Sequence, residues 1–192
     1  MESRGSGRVK CYLSGFDIYA SDAMERGFKL KRLCLAHNML ALYPGDNRAP
    51  LELPRHEAAQ WLTFRNLNLL RQADCVLANL NDFRGGEPAP NVCFEVGMAV
   101  ALGKPVWGYC SDLRAITDKL PSENGRCDKG FELESFNLPH NKMIACTWSG
   151  VSLRVDDAVA SLATHMVKRG KRPEPTFRAP ADLDMMLLTR VS

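Results

Sequence analysis

Short apolar runs with strand character alternate with helically periodic segments along this chain, and no other feature limits its fold as strongly. RVKCYLSGF (8–16) reads as a first strand that ends at a glycine. SDAMERGFKLKRLCLAHN (21–38) reads as a helix, with Ser21 or Asp22 at its N-cap and Met24, Phe28, Leu30, Leu33 and Leu35 at its apolar positions. MLALYP (39–44) is a second strand stopped by proline, and PRHEAAQWLTFRNLNLLRQA (54–73) a second helix with Pro54 in its first turn. DCVLANL (74–80) has the near-continuous apolar character of a strand buried on both faces. A Gly/Pro loop (84–91) then leads into a helix containing NVCFEVGMAVAL. KPVWGYC (104–110) is a fourth strand, KMIACTW (142–148) a fifth, and RVDDAVASLATHMVKRG (154–170) a closing helix. Residues 111–140 are polar, with a weak helical signal in DLRAITDKL.

This order predicts an α/β fold: a flavodoxin-like, doubly wound, five-stranded parallel sheet with helices on both faces. Residues 9–170 form one domain, after a flexible leader at 1–8 and before a Pro-rich tail at 171–192 that is either disordered or docked on a neighbouring chain. A net charge of +3 gives no reason to expect a nucleic acid polymer or a membrane as partner. The N-terminus has no apolar h-region, and the seven cysteines include no C-x-x-C pair. Cys11, Cys75, Cys93, Cys110 and Cys146 sit among apolar neighbours, as free buried thiols do, and a cytoplasmic location is expected. His37, His56, His140 and His165 form no ligand motif, so neither a metal nor another cofactor is expected.

Within that fold, one residue is out of place. Glu95 interrupts an apolar helix, where a carboxylate is costly unless it is paired, hydrogen-bonded or facing a cleft. In doubly wound sheets the site lies beyond the carboxyl ends of the first and third strands. The loops there are SGFD (14–17) and NDFRGGEPAPN (81–91), and Glu95 follows the second by about one helical turn. Glu95 is therefore the candidate catalytic residue, with Tyr12 at the same edge able to hold it. Gly15 and Phe16 on the first loop, Asp82, Phe83 and Asn91 on the second, and Asn79 at the end of the strand before it are candidates for substrate binding. Of Asn66 and Asn68 in the second helix, one faces solvent and the other reaches the site. FRGGEP lacks the spacing and the Lys-Ser/Thr of a P-loop, and no G-x-S-x-G elbow is present.

YLSG (12–15), DCVLANLNDFRGGEP and FEVGMAVALGKPV within 74–106, and FNLPHNKMI (136–144) together resemble the nucleoside 2-deoxyribosyltransferase family, especially members with an FRGxEP loop. The likeness covers roughly residues 9–168 in order. It implies that Glu95 is the nucleophile that attacks C1′ of a 2′-deoxynucleoside and that Tyr12 positions it. Asn66 falls where many members have an aspartate near the base or sugar. Asn141 and Met143 match a segment that crosses to a neighbouring subunit's site, so the resemblance implies a homo-oligomer acting on nucleosides and nucleobases. Two departures stand out. Many members carry an aspartate six residues before the nucleophile, thought to exchange a proton with the base; here Ala89 holds that place. Some members place a C-terminal carboxylate in the site, whereas this chain continues well past its last helix.

Two other functions fit the same residues. A nucleoside 5′-monophosphate N-glycosidase would use the same glutamate, let water resolve the ester, and hold a phosphate through Ser14, the Gly15 backbone N–H or a loop arginine. A sensor of nucleoside derivatives without catalysis is the third reading, kept open by Ala89.

Overall fold

The computed structural model describes residues 7–170. Most of the expected leader and the whole expected tail lie outside the described residues. Strand β1 (Val9–Ser14) leads through a 3-10 turn at Asp17–Tyr19 to helix α1 (Ala23–Ala36) and strand β2 (Met39–Leu42). Helix α2 (Arg55–Gln72), strand β3 (Cys75–Asn79), helix α3 (Pro90–Ala101) and strand β4 (Val106–Tyr109) follow. Then come a single helical turn α4 (Ile116–Lys119) and a small hairpin of β5 (Ser122–Glu123) and β6 (Arg126–Cys127). A second short helix α5 (Lys142–Ala145), strand β7 (Gly150–Ser152) and helix α6 (Val155–Arg169) close the domain.

The main sheet has five parallel strands in the order β2-β1-β3-β4-β7. The order reverses at β1 and β3, so the expected doubly wound topology and its switch point are both present. The pleat sorts the core into two layers. Tyr12, Val76, Ala78 and Val106 face α2 and α3, while Cys11, Leu13, Cys75 and Leu77 face α1 and α6. No helix among the described residues is long and apolar enough to cross a membrane.

Three local expectations are corrected. The segment 142–148 is not a strand: Asn141 accepts a hydrogen bond from the Met143 N–H and starts α5, and the fifth strand of the sheet is β7, eight residues later than the start expected for it. An N-cap side chain satisfying a free N–H outweighed the β-branched and apolar character of that run. On α1, Asp22 is the N-cap residue, as expected, and its carboxylate pairs with Arg26 rather than making a cap bond; the apolar positions are what differ. Met24, Phe28 and Leu35 point outward, and the helix buries Gly27 and Cys34 instead. Of the cysteines expected to be buried, Cys146 is exposed and Cys93 half-buried.

Gly27 is where α1 meets Tyr43. A Cβ at Gly27 would lie 2.3 Å from the Tyr43 ring, which is itself 3% exposed. Gly27→Ala gains about 1 kcal/mol of helix propensity, but the overlap forces the ring or the helix to move, at about 1–3 kcal/mol or more. The steric cost wins. Urea unfolding should show Gly27→Ala less stable than wild type, and equal or greater stability would mean that the ring moves freely. The lysine of the GKP motif is structural as well. Lys104 Nζ donates to the Arg71 carbonyl at 3.0 Å and to that of Ala73, closing the C-terminus of α2.

Candidate active site

Tyr12 and Ser14 are two residues apart on β1, so their side chains leave the same face of the sheet. Opposite them, α3 presents Val92, Glu95, Val96 and Ala99, spaced as one helical stripe. Glu95 thus occupies an inward position among apolar neighbours and is only 8% exposed. Its carboxylate is held at both oxygens. The Tyr12 hydroxyl donates to Oε1 at 2.7 Å and the Ser14 hydroxyl to Oε2 at 2.6 Å.

Burial pushes the Glu95 carboxyl above the usual carboxylate range, and the bonds from Ser14 and Tyr12 pull it back. Tyr12 is held firmly protonated, first by burial and then by the negative charge of Glu95. The phenol is therefore a fixed donor. What this arrangement can do chemically is present one desolvated carboxylate, oriented by two neutral donors, beside the carboxyl end of β1.

The surrounding loops are tied together by a second polar chain. Asp17 accepts from Asn79 Nδ2 at 2.9 Å and from Arg26 at 3.4 Å. Asn79 Oδ1 accepts from the Asn81 amide side chain at 2.8 Å, and Asn81 Oδ1 accepts from the Ser111 hydroxyl at 2.8 Å. These bonds link the carboxyl ends of β1, β3 and β4. Gly15 fits against them, since a Cβ there would come within 2.8 Å of Asp17 Oδ2. Asn91 donates to the Gly15 carbonyl at 3.3 Å, joining the start of α3 to the loop after β1.

Aromatic rings cover the same edge. Phe16 and Phe83 stack with centroids 5.1 Å apart, and Tyr19 stacks on Phe83 at 5.7 Å. The Arg84 guanidinium lies 4.6 Å from the centre of the Phe83 ring. The loop that carries Phe83 turns through Arg84 at φ 50° and Gly85 at φ 144°, a conformation that favours glycine at the second position. It is closed by a bond from the Phe83 N–H to the Glu87 carbonyl at 2.9 Å.

The structure brings Tyr12 and Glu95 into contact and gathers Gly15, Phe16, Asn79, Phe83 and Asn91 at the neighbouring loop ends. Asp82 is exposed beside Phe83. Asn66 and Asn68 are both half-buried, and Asn66 accepts from Asn47 Nδ2 at 2.7 Å, bracing the turn after β2. Asn141 and Met143 are elsewhere. They line a separate cavity of about 420 Å³ with Glu87, Cys93, Gly97 and His140, and Glu95 is not part of its wall. Burial and the nearby Lys119 charge lower His140 to about 4, so it is neutral at ordinary pH. Among the described residues, no group of three or more His, Cys, Asp or Glu could hold a metal. Sequence reasoning missed Ser14 as a partner of Glu95, although its strand spacing from Tyr12 was the available signal. It also missed Asp17, Asn81 and Ser111, which carry no motif.

The fold and site together define a doubly wound α/β domain with a buried, hydroxyl-held carboxylate at the switch point of its sheet. Similarity to known proteins narrows it further. The family model for nucleoside 2-deoxyribosyltransferase matches residues 11–143, and the chain belongs to that family. A 2-desoxiribosyltransferase structure from Leishmania mexicana superposes with a TM-score of 0.70 at 26% identity, covering 82% of this chain and 99% of that one. A conserved protein from Enterococcus faecalis shares the fold, with a TM-score of 0.54 at 14% identity over 85% of this chain and 99% of that one. A protein of Schizosaccharomyces pombe is 27% identical over 119 residues, which is 60% of this chain and 56% of that protein. The chain thus matches little more than half of that relative's length.

Proposed function

We propose that this protein transfers the 2-deoxyribosyl group between nucleobases through a covalent ester on Glu95, with hydrolysis as a side reaction. The observation that carries the proposal is the Glu95 carboxylate, buried in α3 and held at both oxygens beside the carboxyl end of β1. Glu95 attacks C1′ as the C1′–N bond breaks, and the bonding electrons leave with the base, which takes up a proton. The anomeric centre is inverted. An incoming base then attacks C1′ through a ring nitrogen, gives up the proton of that nitrogen, displaces the carboxylate and inverts the centre again. This is the logic of a retaining glycosidase with a nucleobase in place of water. The missing 2′-hydroxyl of the sugar eases the oxocarbenium-like transition state. The Phe16–Phe83 stack offers the flat apolar surface that a base requires.

The experiment is incubation with a panel of 2′-deoxynucleosides, with and without free acceptor bases, followed by chromatography. Exchanged nucleosides support transfer. Free base alone, even with acceptor present, makes the protein a hydrolase. No turnover, and no deoxyribosyl adduct on Glu95 by mass spectrometry, leaves a binding protein.

The reading includes a site shared between subunits. Pro90, Phe94, Gly97 and Ala101 recur at helical spacing on the outer face of α3 and are all exposed, with no polar residue among them. Asn141 and Met143 line the cavity that borders Gly97, and Met143 is 71% exposed. An apolar face of this kind suits a second copy, which brings its own Asn141 toward the sugar. Mixing inactive Glu95→Ala chains with inactive Asn141→Ala chains should then restore part of the activity through hybrid sites. A monomer at working concentration, or no recovery after subunit exchange, rules the shared site out.

A further inference from the structure

We propose that Ser14 is a second positioning residue for the nucleophile, fixing Glu95 Oε2 so that the carboxylate stays ionised and correctly turned before substrate binds. The inference rests on the proposed role of Glu95. Ser14 is 2% exposed, and its hydroxyl lies 2.6 Å from Oε2. Ser14 is the last residue of β1, so it is nearer the mouth of the site than Tyr12. The two hydroxyls then have different roles. Tyr12 grips the deeper oxygen throughout. Ser14 grips the oxygen nearer the substrate, the one that forms the bond to C1′, and must release it as that bond forms. A serine hydroxyl suits the second role because it swings about one bond, whereas the phenol is fixed in a buried ring.

Few other groups bear on this carboxylate. Its environment is set by burial and by these two hydroxyls. Of the titratable groups on the elements packed against α3, Cys11, Cys75 and Tyr109 face the opposite layer of the core. Arg55, His56, Glu57, Arg65 and Arg71 of α2 are exposed. On α5 Lys142 pairs with Glu134, and Cys146 at its C-cap is exposed. Lys10 of β1 is exposed. Removing the Ser14 hydroxyl therefore leaves Tyr12 as the side-chain donor to Glu95 among the described residues, with no charge from these groups to replace the lost bond.

The test is a comparison of wild type, Ser14→Ala and Ser14→Thr. For Ser14→Ala, the acid limb of the kcat/KM profile should move up by about one pH unit, because a hydrogen bond to a charged group is worth about one to two such units. Activity on that limb should fall about tenfold, and the plateau at higher pH should fall by a smaller factor, since the carboxylate keeps only one of its two fixing bonds. Ser14→Thr, which restores the hydroxyl, should return the limb toward its original position. An independent readout is the titration of the Glu95 side-chain carbon by NMR in glutamate-labelled protein, which needs no turnover. An upward shift in Ser14→Ala there supports the hold of Ser14 on the carboxylate independently of turnover. An unmoved Glu95 titration, or a loss of activity equal at every pH, overturns it. Retained activity in Glu95→Gln overturns the proposed mechanism instead.

Discussion

Glu95→Gln should lose at least about four powers of ten in glycosidic cleavage, the scale typical of removing a nucleophile, and should nevertheless fold more stably than wild type. The loss follows because an amide cannot form the ester. The gain follows from the sign of the carboxyl shift. Burial raises the Glu95 carboxyl in the folded protein above its unfolded value. Below the ordinary carboxylate range both states are protonated and nothing is lost. As pH rises through the folded value, the native state must ionise a buried group, and stability declines relative to a neutral side chain. The gap between Glu95→Gln and wild type should therefore be smallest in acid and widest at neutral pH. For a domain of this size each kcal/mol of difference appears as about 2–4 °C in Tm. Thermal unfolding across pH measures it, alongside turnover. A folded variant with near wild-type turnover removes Glu95 from the chemistry. A variant less stable than wild type at neutral pH contradicts the sign given to its burial.

The second large effect concerns the proton that the departing base takes up. Ala89 stands where many family members have an aspartate, and here it is fully buried at the N-cap of α3. Three groups in the loop could serve instead: Asp82, Glu87, or a water held by Asn91. Asp82 is exposed and next to Phe83, whose ring stacks on Phe16. Glu87 instead lines the cavity with Cys93 and His140. Asn91 is occupied by the Gly15 carbonyl. We therefore expect Asp82→Asn to slow substrates with poor leaving bases by about a hundred- to ten-thousand-fold, the range of a positioned general acid. Glu87→Gln should have little effect. The measurement is cleavage rate against leaving-base pKa. A steeper dependence in Asp82→Asn than in wild type assigns the proton to Asp82, and the same change in Glu87→Gln assigns it to Glu87. Unchanged slopes in both place the donor outside these two side chains.

Four strands of the sheet were legible because each is a short apolar run between breakers, and the long helices because each has the matching period. Glu95 was legible because a carboxylate in NVCFEVGMAVAL has no cheap explanation. The fifth strand was not, because Gly150–Ser152 is three residues long and its identity comes from pairing with β4 rather than from its own pattern. KMIACTW drew the assignment instead, since nothing in its composition reveals that the Asn141 side chain starts a helical turn. The outward apolar residues of α1 misled for a related reason. Periodicity identified the helix, but the buried face was chosen by the fit of Gly27 to Tyr43, a contact between small and large partners that apolar spacing does not encode. Ser14 escaped because a serine before a glycine is common in loops, and its partner lies 81 residues away.

The carboxylate between two hydroxyls also shapes how such a chain can evolve. On the proposed mechanism, selection for turnover holds Glu95 in an environment that folding alone would not choose. Once that selection relaxes, substitution by a neutral side chain is favoured by stability as well as permitted by function. The stacked rings beside it, and the polar chain joining the strand ends, do not depend on the charge. A descendant without the glutamate would keep the stacked rings on a sturdier domain, so on that mechanism a recognition protein is one substitution away and lies downhill.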